Sequence, residues 1–578
     1  LSSTAKGEVW LAVAYEKVEK ESSMVTAWIE HGSSTDRAWR TRSFRPPAAM
    51  RLCVACMLLR MSNAPHPSVE SKSTEAVSPS GVNRREFVKT ASLAAGAIAF
   101  GAPALVRGQN LNSKLNIACI GISGKGFSDT EACAKTENIV ALCDVDTGSA
   151  AYATQTKKYP DARFFKDFRE LFEQMGGKID GVTVSTPDHL HAIIASAAMK
   201  RRKAVYCQKP LTQTIHEARY LRNLAKQNKV VTQMGNQGSA GDGLRRGVET
   251  IQDGLIGQVR QVHVWTNRPV WPQGMDRPVG EDAIPETLDW DKWIGPAPMR
   301  PYKVRVDAKG KSAIYTPFVW RGWQDFGTGA LGDMACHTVN LPFRALNLGY
   351  PTEIEAVSLS KMNTESYPYG SKIRFEFPKR KTAMPIEHPH LFARHPRLQQ
   401  DAVTLFWYDG GQPDSSAPDG HDFSNKPPAD LTADIVALRG DVPNSGSLQI
   451  GEGGTVFSPD DYGTSWFLKL KGDEKFLHYS KHPAVAKYAE RIPRNPHGKE
   501  TNLAHTQEWL TAIKENKPDL CYSKFEIASH LTEIMLLGCV SLRAGRKIEW
   551  DGPKMVAKNC PEAAPFIKRE NRAGWVLS

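Results

Sequence analysis

Leu115-Asn-Ile-Ala-Cys-Ile120 runs straight into Gly121-Ile-Ser-Gly-Lys-Gly126, and Ile139-Val-Ala-Leu-Cys143 then stops at Asp144. The first run is apolar without alternation, the pattern of a strand buried on both faces of a parallel sheet. The glycines make a turn, and the segment from Phe127 reads as a helix. Strand, glycine turn, helix, strand and acidic residue thus arrive within about 30 residues, the order a dinucleotide site requires. Gly121, Gly124 and Gly126 let the backbone approach a pyrophosphate, whose charge sits at the helix N-terminus. Asp144 can accept hydrogen bonds from both adenosine ribose hydroxyls and repels a 2′-phosphate, so NAD is expected and NADP disfavoured. The loop departs from the usual G-x-G-x-x-G because Ser123 holds the second glycine position. Serine is small, and Gly124 beside it restores the close approach.

The alternation continues downstream. Helices are expected over Phe168–Met175, Ala192–Lys200 and His216–Gln227, and strands over Ile179–Ser185, Ala204–Cys207 and Val230–Met234. Five or six strands with intervening helices predict an α/β fold, a Rossmann doubly wound parallel sheet over 114–236. Ligands bind at the carboxyl ends of such strands. The residues there are Thr186-Pro187-Asp188-His189-Leu190-His191, Gln208-Lys209-Pro210 and Gly235-Asn236-Gln237. Thr186, Pro187, Asp188, His191, Gln208, Lys209, Asn236 and Gln237 therefore join the glycine loop and Asp144 as candidate cofactor contacts.

These motifs resemble the family of glucose–fructose oxidoreductase, inositol dehydrogenase and rhizopine-catabolism proteins. Its marks are the glycine loop, Asp144, Thr186-Pro-Asp-His-Leu-His191, Gln208-Lys-Pro210 and the glycine-rich D-x-x-x-H helix Gly329-Ala-Leu-Gly-Asp-Met-Ala-Cys-His337. The resemblance covers roughly 114–550 and implies a second α/β domain, over 237–578, with an open, mostly antiparallel sheet that often mediates oligomerisation. Strand-like runs at Val259–Trp265, Thr352–Leu359, Ile373–Phe377, Val403–Tyr408 and Leu448–Ile450 agree, with Pro378–Ala402 as a surface loop. A final helix, Phe525–Arg543, precedes the strand-like Ile548–Trp550.

The resemblance implies a sugar or cyclitol substrate and a homo-oligomer. The Lys209 ammonium can donate to a substrate hydroxyl and lower its pKa as hydride leaves the same carbon. The family's usual glutamate before this lysine is Gln208 here, which keeps hydrogen bonding toward a cofactor ribose but loses the charge. Asp333 and His337, spaced i, i+4, share one helix face, and a histidine held by a carboxylate suits a general base. Lys209, Asp333 and His337 are thus the candidate catalytic residues and, with Trp323, the candidate substrate contacts. Trp320-Arg321-Gly322-Trp323 is expected to line the cleft, since indole faces suit sugar rings. His189 and His191 have H-x-H spacing but are read as backbone or cofactor contacts, and His505 and Glu508 as structural. No metal is expected.

The formal charge of +12 excludes less than it suggests. Residues 1–110 carry 14 Lys/Arg against 9 Asp/Glu, leaving +7 over the other 468 residues with no basic–aromatic stripe. A solvated basic surface is expected, with no nucleic-acid partner. The ten cysteines show no metal spacing beyond a lone Cys53/Cys56 pair, and Cys119, Cys143 and Cys207 read as small core hydrophobes. Residues 1–80 read as disordered or as a mis-assigned leader, with Met50, Met57 or Met61 as alternative starts. Over 81–110, Arg84-Arg85-Glu86-Phe87-Val88-Lys89 precedes the Ala-rich run Thr90–Val106, with Ala102-Pro103-Ala104 as a small-residue cleavage site. This resembles the leader of the twin-arginine export route, implying that machinery as a partner and a periplasmic or cell-envelope location. No permanent membrane span is expected, although leaders of this type are in some cases retained as anchors.

Three functions fit. The first is a dehydrogenase moving hydride to or from a hydroxyl-bearing carbon. The second is an exported glycoside hydrolase that uses tightly bound NAD for transient oxidation and elimination. An exported enzyme lacks a free NAD pool, which makes a tightly held, recycled cofactor attractive. The third is a non-catalytic sugar or nucleotide sensor, which intact Lys209, Asp333 and His337 argue against.

Overall fold

The structure is a computed structural model that describes residues 113–307, 310–380, 401–414, 416 and 421–577. Arg84, Arg85, the run at 90–106, and most of the expected loop at 378–402 lie outside the described residues.

The first half is a six-stranded sheet: β1 (Asn116–Ile120), β2 (Asn138–Cys143), β3 (Arg163–Phe165), β4 (Gly181–Val184), β5 (Ala204–Cys207) and β6 (Thr232–Met234). All pairings are parallel, in the order β3-β2-β1-β4-β5-β6. The crossover helices are α1 (Lys125–Ala134), α2 (Ala150–Lys158), α3 (Phe168–Met175), α4 (Asp188–Lys200) and α5 (Ile215–Asn228). Local sequence explains them. Asp167 caps α3 by accepting from the Arg169 N–H, and Phe168, Leu171, Phe172 and Met175 fall at i, i+3, i+4 and i+7 and are buried. Thr214 and Glu217 form a reciprocal capping box on α5. Helix α4 begins four residues earlier than expected, immediately after Pro187, so Asp188 and both histidines lie in its first turn. Strand order reverses between β1 and β4, which opens a crevice at their carboxyl ends.

Residues 114–236 do not close this half alone. The helix Thr501–Glu515 returns to the sheet, placing Trp509, Leu510 and Ala512 in one core with Leu115, Ile117, Cys119 and Tyr206. Gly181 leaves the room: a Cβ there would stand 2.9 Å from the Trp509 ring.

The second half carries a ten-stranded sheet. Its strands are β7 (Val259–Thr266), β10 (Glu353–Ser358), β11 (Ser371–Phe377), β12 (Val403–Asp409), β13 (Gly446–Gly451), β14 (Gly454–Ser458), β15 (Phe467–Leu470), β16 (Leu477–His478), β17 (Ile548–Asp551) and β18 (Val556–Ala557). A small hairpin pairs β8 (Val304–Asp307) with β9 (Gly310–Ala313). The sheet order is β16-β15-β14-β13-β7-β12-β11-β10-β17-β18, antiparallel except where β12 meets β7. The helices α6 (Asp242–Gln252), α7 (Trp290–Ile294) and α8 (Gly329–Thr338) join the two halves. The helix Phe525–Ala544 is, among the described residues, long and apolar enough to cross a membrane, but 94% of its apolar window is buried inside the protein. It packs against α5, α8 and β10 and is a core element.

Candidate active site

The glycine turn is built for close approach. Gly121 has φ 77° and a Cβ there would lie 2.8 Å from the Ser185 backbone, so β1 and β4 ends nearly touch. Gly126 sits just as tightly under the Gly121 carbonyl, whereas Gly124, with φ 52°, faces open space. No side chain caps the start of α1 at Gly124; its Gly126 and Phe127 N–H groups donate to the Ser123 and Gly124 carbonyls at 2.9 and 3.2 Å. The Ser123 hydroxyl reaches Ser149, the cap of α2, at 3.3 Å. Asp144 accepts from the Ile122 N–H (3.0 Å) and the Asp146 N–H (3.1 Å), one on each carboxylate oxygen. Each oxygen keeps a second lone pair for a ribose hydroxyl. Burial pushes the Asp144 carboxyl up, and those N–H donors work against the rise.

Around the crevice, Thr186 Oγ1, Asn236 Oδ1 and Gln237 Oε1 are buried without a protein partner. Buried polar atoms are rarely left so. Together with the open side of Gly124, they form a cradle that fits a dinucleotide.

Lys209, following β5, crosses to the second half. Its Nζ donates to the Asp333 carboxylate at 2.8 Å and to the Asp333 carbonyl at 2.9 Å. Arg321 Nε donates to the same carboxylate oxygen at 3.1 Å. Burial alone would raise the Asp333 carboxyl, but Lys209, Arg321 and Arg268 hold it well below the usual carboxylate range. Asp333 therefore spends its charge on cations, and the expected Asp333–His337 hydrogen bond is replaced by the Lys209 and Arg321 bonds. His337 lies one turn further along α8, edge-on to Tyr462 at 5.0 Å. Its Nδ1 is buried without a partner, and burial, reinforced by Lys209, keeps the ring neutral.

The remaining expected residues divide clearly. Asp188 Oδ2 accepts from Thr328 at 2.8 Å, Oδ1 has no partner, and burial and the Asp333 charge push the carboxyl up to about 7. His191 is clamped between the Pro210 carbonyl (2.9 Å) and the Thr186 carbonyl (2.8 Å), and His189 between Phe326 and Trp293 carbonyls at 3.3 and 3.0 Å. Both rings are spent on backbone, and burial lowers them to about 4 and about 3. Among the described residues no three His, Cys, Asp or Glu side chains converge as metal ligands. Gln208 turns its amide to Asp129 on α1, not outward toward a ribose: Nε2 donates to Asp129 Oδ2 at 2.7 Å.

Trp323 corrects an expectation. It is 1% exposed, its indole N–H donates to the Ile314 carbonyl at 2.7 Å, and it packs with Tyr315 and Phe326 in an aromatic core. The residue of that segment that faces the site is Arg321, which sequence reasoning passed over in favour of its tryptophan neighbours. Arg268, at the end of β7, and Asp129 were passed over as well. The i, i+4 pair Lys125/Asp129 looks like a surface ion pair until β4 and β5 bury it. His505 and Glu508 sit behind the sheet, bonded to Tyr206 (3.0 Å) and Arg245 (2.5 Å).

A Rossmann crevice whose lining fits a dinucleotide thus faces a Lys–Asp–His constellation. Residues 115–236 match the family model of the oxidoreductase family's NAD-binding Rossmann fold, and residues 252–348 match the model of its C-terminal alpha/beta domain. Over these two segments the chain is similar to the Gfo/Idh/MocA oxidoreductase family. It is 32% identical over 139 residues to a glycosyl hydrolase family 109 protein of Stenotrophomonas maltophilia, covering 22% of this chain and 29% of that one. To an inositol 2-dehydrogenase of Salmonella paratyphi B it is 29% identical over 154 residues, covering 26% and 45%. The chain thus spans less than half the length of these relatives. A solved inositol dehydrogenase homologue from Azotobacter vinelandii, complexed with NAD+, aligns with TM-score 0.49 and 17% identity over 76% of this chain and 99% of that one.

Proposed function

We propose that the protein oxidises or reduces a hydroxyl-bearing carbon of a sugar or cyclitol. The carrying observation is the Lys209–Asp333 bond, which places an ammonium from the Rossmann half against the helix that bears His337. The nicotinamide, when bound, accepts or returns the hydride. In the oxidising direction a C–H and an O–H bond break and a C=O bond forms. Two electrons and one proton leave as hydride, and the second proton leaves the oxygen. Lys209 donates to that oxygen and stabilises its developing negative charge. His337, neutral and with an unpartnered nitrogen, receives the proton. Asp333 fixes Lys209 and offsets its charge.

A second reading is favoured by the similarity to a glycosyl hydrolase family 109 protein: transient oxidation followed by elimination of a glycoside, with the hydride returned. Purified protein supplied with NAD, free sugars and cyclitols, and aryl glycosides separates the two. Net NADH from a free polyol supports the dehydrogenase; aglycone release without net NADH supports the hydrolase. Ligand binding with neither product favours a sensor. Self-association, implied by the family resemblance, is checked by light scattering. Export rests on Arg84-Arg85 and the apolar run after them, and cell fractionation of an Arg84→Lys, Arg85→Lys variant tests it.

A further inference from the structure

The charges around Asp333 narrow the substrate. Three cations meet there: Lys209 and Arg321 by direct contact, and Arg268 close enough to help hold the carboxylate ionised. Arg321 is fixed by aromatic faces, its guanidinium carbon 4.3 Å from the Trp320 ring centre, 4.7 Å from Phe318 and 5.8 Å from Trp271. Its Nε serves Asp333 and its Nη1 the Phe318 carbonyl at 3.0 Å, while Nη2 has no hydrogen-bond partner among the described residues. Arg268 bonds its neighbour Asn267 through Nη1. Its Nη2 stands 4.0 Å from Asp461, the outer limit of an ion pair. The two side chains are 20% and 26% exposed, so both are open to a ligand.

The opposing anions are fewer. Asp333 and Asp461 are carboxylates, but Asp188 is close to half protonated at neutral pH, and His337 and His191 are neutral. Lys125, which also acts on His337, is matched by Asp129. Three cations against two full anions and a half-ionised Asp188 leave a small net positive charge, and two guanidinium groups hold unspent donors in a partly buried space. A neutral polyol answers the hydroxyl acceptors of such a site, such as the unpartnered Asp461 Oδ1, but not its charge. A planar, monovalent oxyanion answers both, because guanidinium donors match carboxylate oxygens.

We propose that the substrate is an acidic sugar, a polyhydroxylated ring bearing one carboxylate, and that Arg321 Nη2 and Arg268 receive that carboxylate. The proposal rests on the reading of Lys209, Asp333 and His337 as the hydride-transfer centre.

The test offers the NAD-loaded protein matched pairs: D-glucuronate and D-glucose, D-galacturonate and D-galactose, D-mannuronate and D-mannose, with glucose 6-phosphate as a divalent anion. NADH formation and calorimetric binding are both read. The acid of at least one pair is expected to exceed its neutral partner by about tenfold or more in kcat/KM or affinity. Raising salt from about 50 mM to about 500 mM weakens the acid and spares the neutral sugar. Arg268→Gln should cut the acid-over-neutral ratio about tenfold, through KM more than kcat. A neutral sugar or the phosphate equal to or better than every acid overturns the proposal and leaves the dehydrogenase standing, and so does a preference indifferent to salt in the unaltered protein. If NAD binds but no sugar of either kind binds or reacts, both readings fall.

Discussion

The side-chain amide of Gln208 donates to Oδ2 of Asp129 across 2.7 Å, and the Ser185 hydroxyl shares that oxygen at 2.9 Å. The other Asp129 oxygen holds Lys125, and Asp129 is 1% exposed. One carboxylate on α1 therefore ties together the ends of β4 and β5, immediately before Lys209. This explains glutamine where the family resemblance leads one to expect glutamate. A glutamate would face Asp129 across hydrogen-bond distance, and two buried carboxylates that close cannot both ionise.

Gln208→Glu should therefore lower kcat/KM by about tenfold or more and lower the melting temperature. Adding Asp129→Asn restores the donor–acceptor match with roles exchanged and should recover most of both losses. Steady-state kinetics and thermal melts on the two single variants and the double variant read this directly. A harmless Gln208→Glu, or no recovery in the double variant, contradicts the assignment.

Asp144 braces its own loop through the Ile122 and Asp146 N–H groups, and we propose that it also sets cofactor choice. Asp144→Asn keeps one acceptor oxygen and removes the charge. Calorimetric titration should show NAD weakened by about tenfold and the NAD-over-NADP preference reduced by a similar factor or more. An unchanged ratio would place the adenosine ribose elsewhere.

Asp188 makes stability depend on pH. Burial and the Asp333 charge push its folded carboxyl up to about 7 from the ordinary 3.8. Between those values the folded chain keeps a proton that the unfolded chain releases, so stability attributable to this group is whole below pH 3.8 and falls as pH rises to about 7. Asp188→Asn, which cannot ionise, should be more stable than the unaltered protein at about pH 8 by on the order of 2–4 kcal/mol, the gap narrowing toward acid. Denaturant melts at several pH values check it. A gap that widens toward acid reverses the sign and refutes the account.

Features set by neighbouring residues were legible from the chain. The β1–Gly121 turn–α1–β2–Asp144 unit, Lys209 after β5, and Asp333/His337 on one helix all follow from spacing and period. Interactions between distant segments were not. Trp509 fills the Rossmann sheet from a helix whose residues lie more than 300 positions beyond β1. Asp333 and His337 do share a face, yet the i, i+4 rule cannot say that Lys209, from the other half of the molecule, outcompetes His337 for the carboxylate. In Trp320-Arg321-Gly322-Trp323 the large aromatics draw attention, but their size is what buries Trp323 and leaves Arg321 facing the cleft. Asp188 reads as a cofactor contact, and its elevated carboxyl comes from burial first and the Asp333 charge second, both supplied only by the fold.

Lys209→Met gives the most direct test of hydride transfer at this centre. NAD affinity and NADH formation should be measured together on the unaltered protein, Lys209→Met and His337→Ala, with the best substrate of the sugar panel. Each substitution should leave NAD binding within about threefold and lower kcat by about 100-fold or more, the range for losing a positioned acid–base or oxyanion-stabilising group. Turnover in Lys209→Met equal to that of the unaltered protein, with NAD bound in both, would contradict the account.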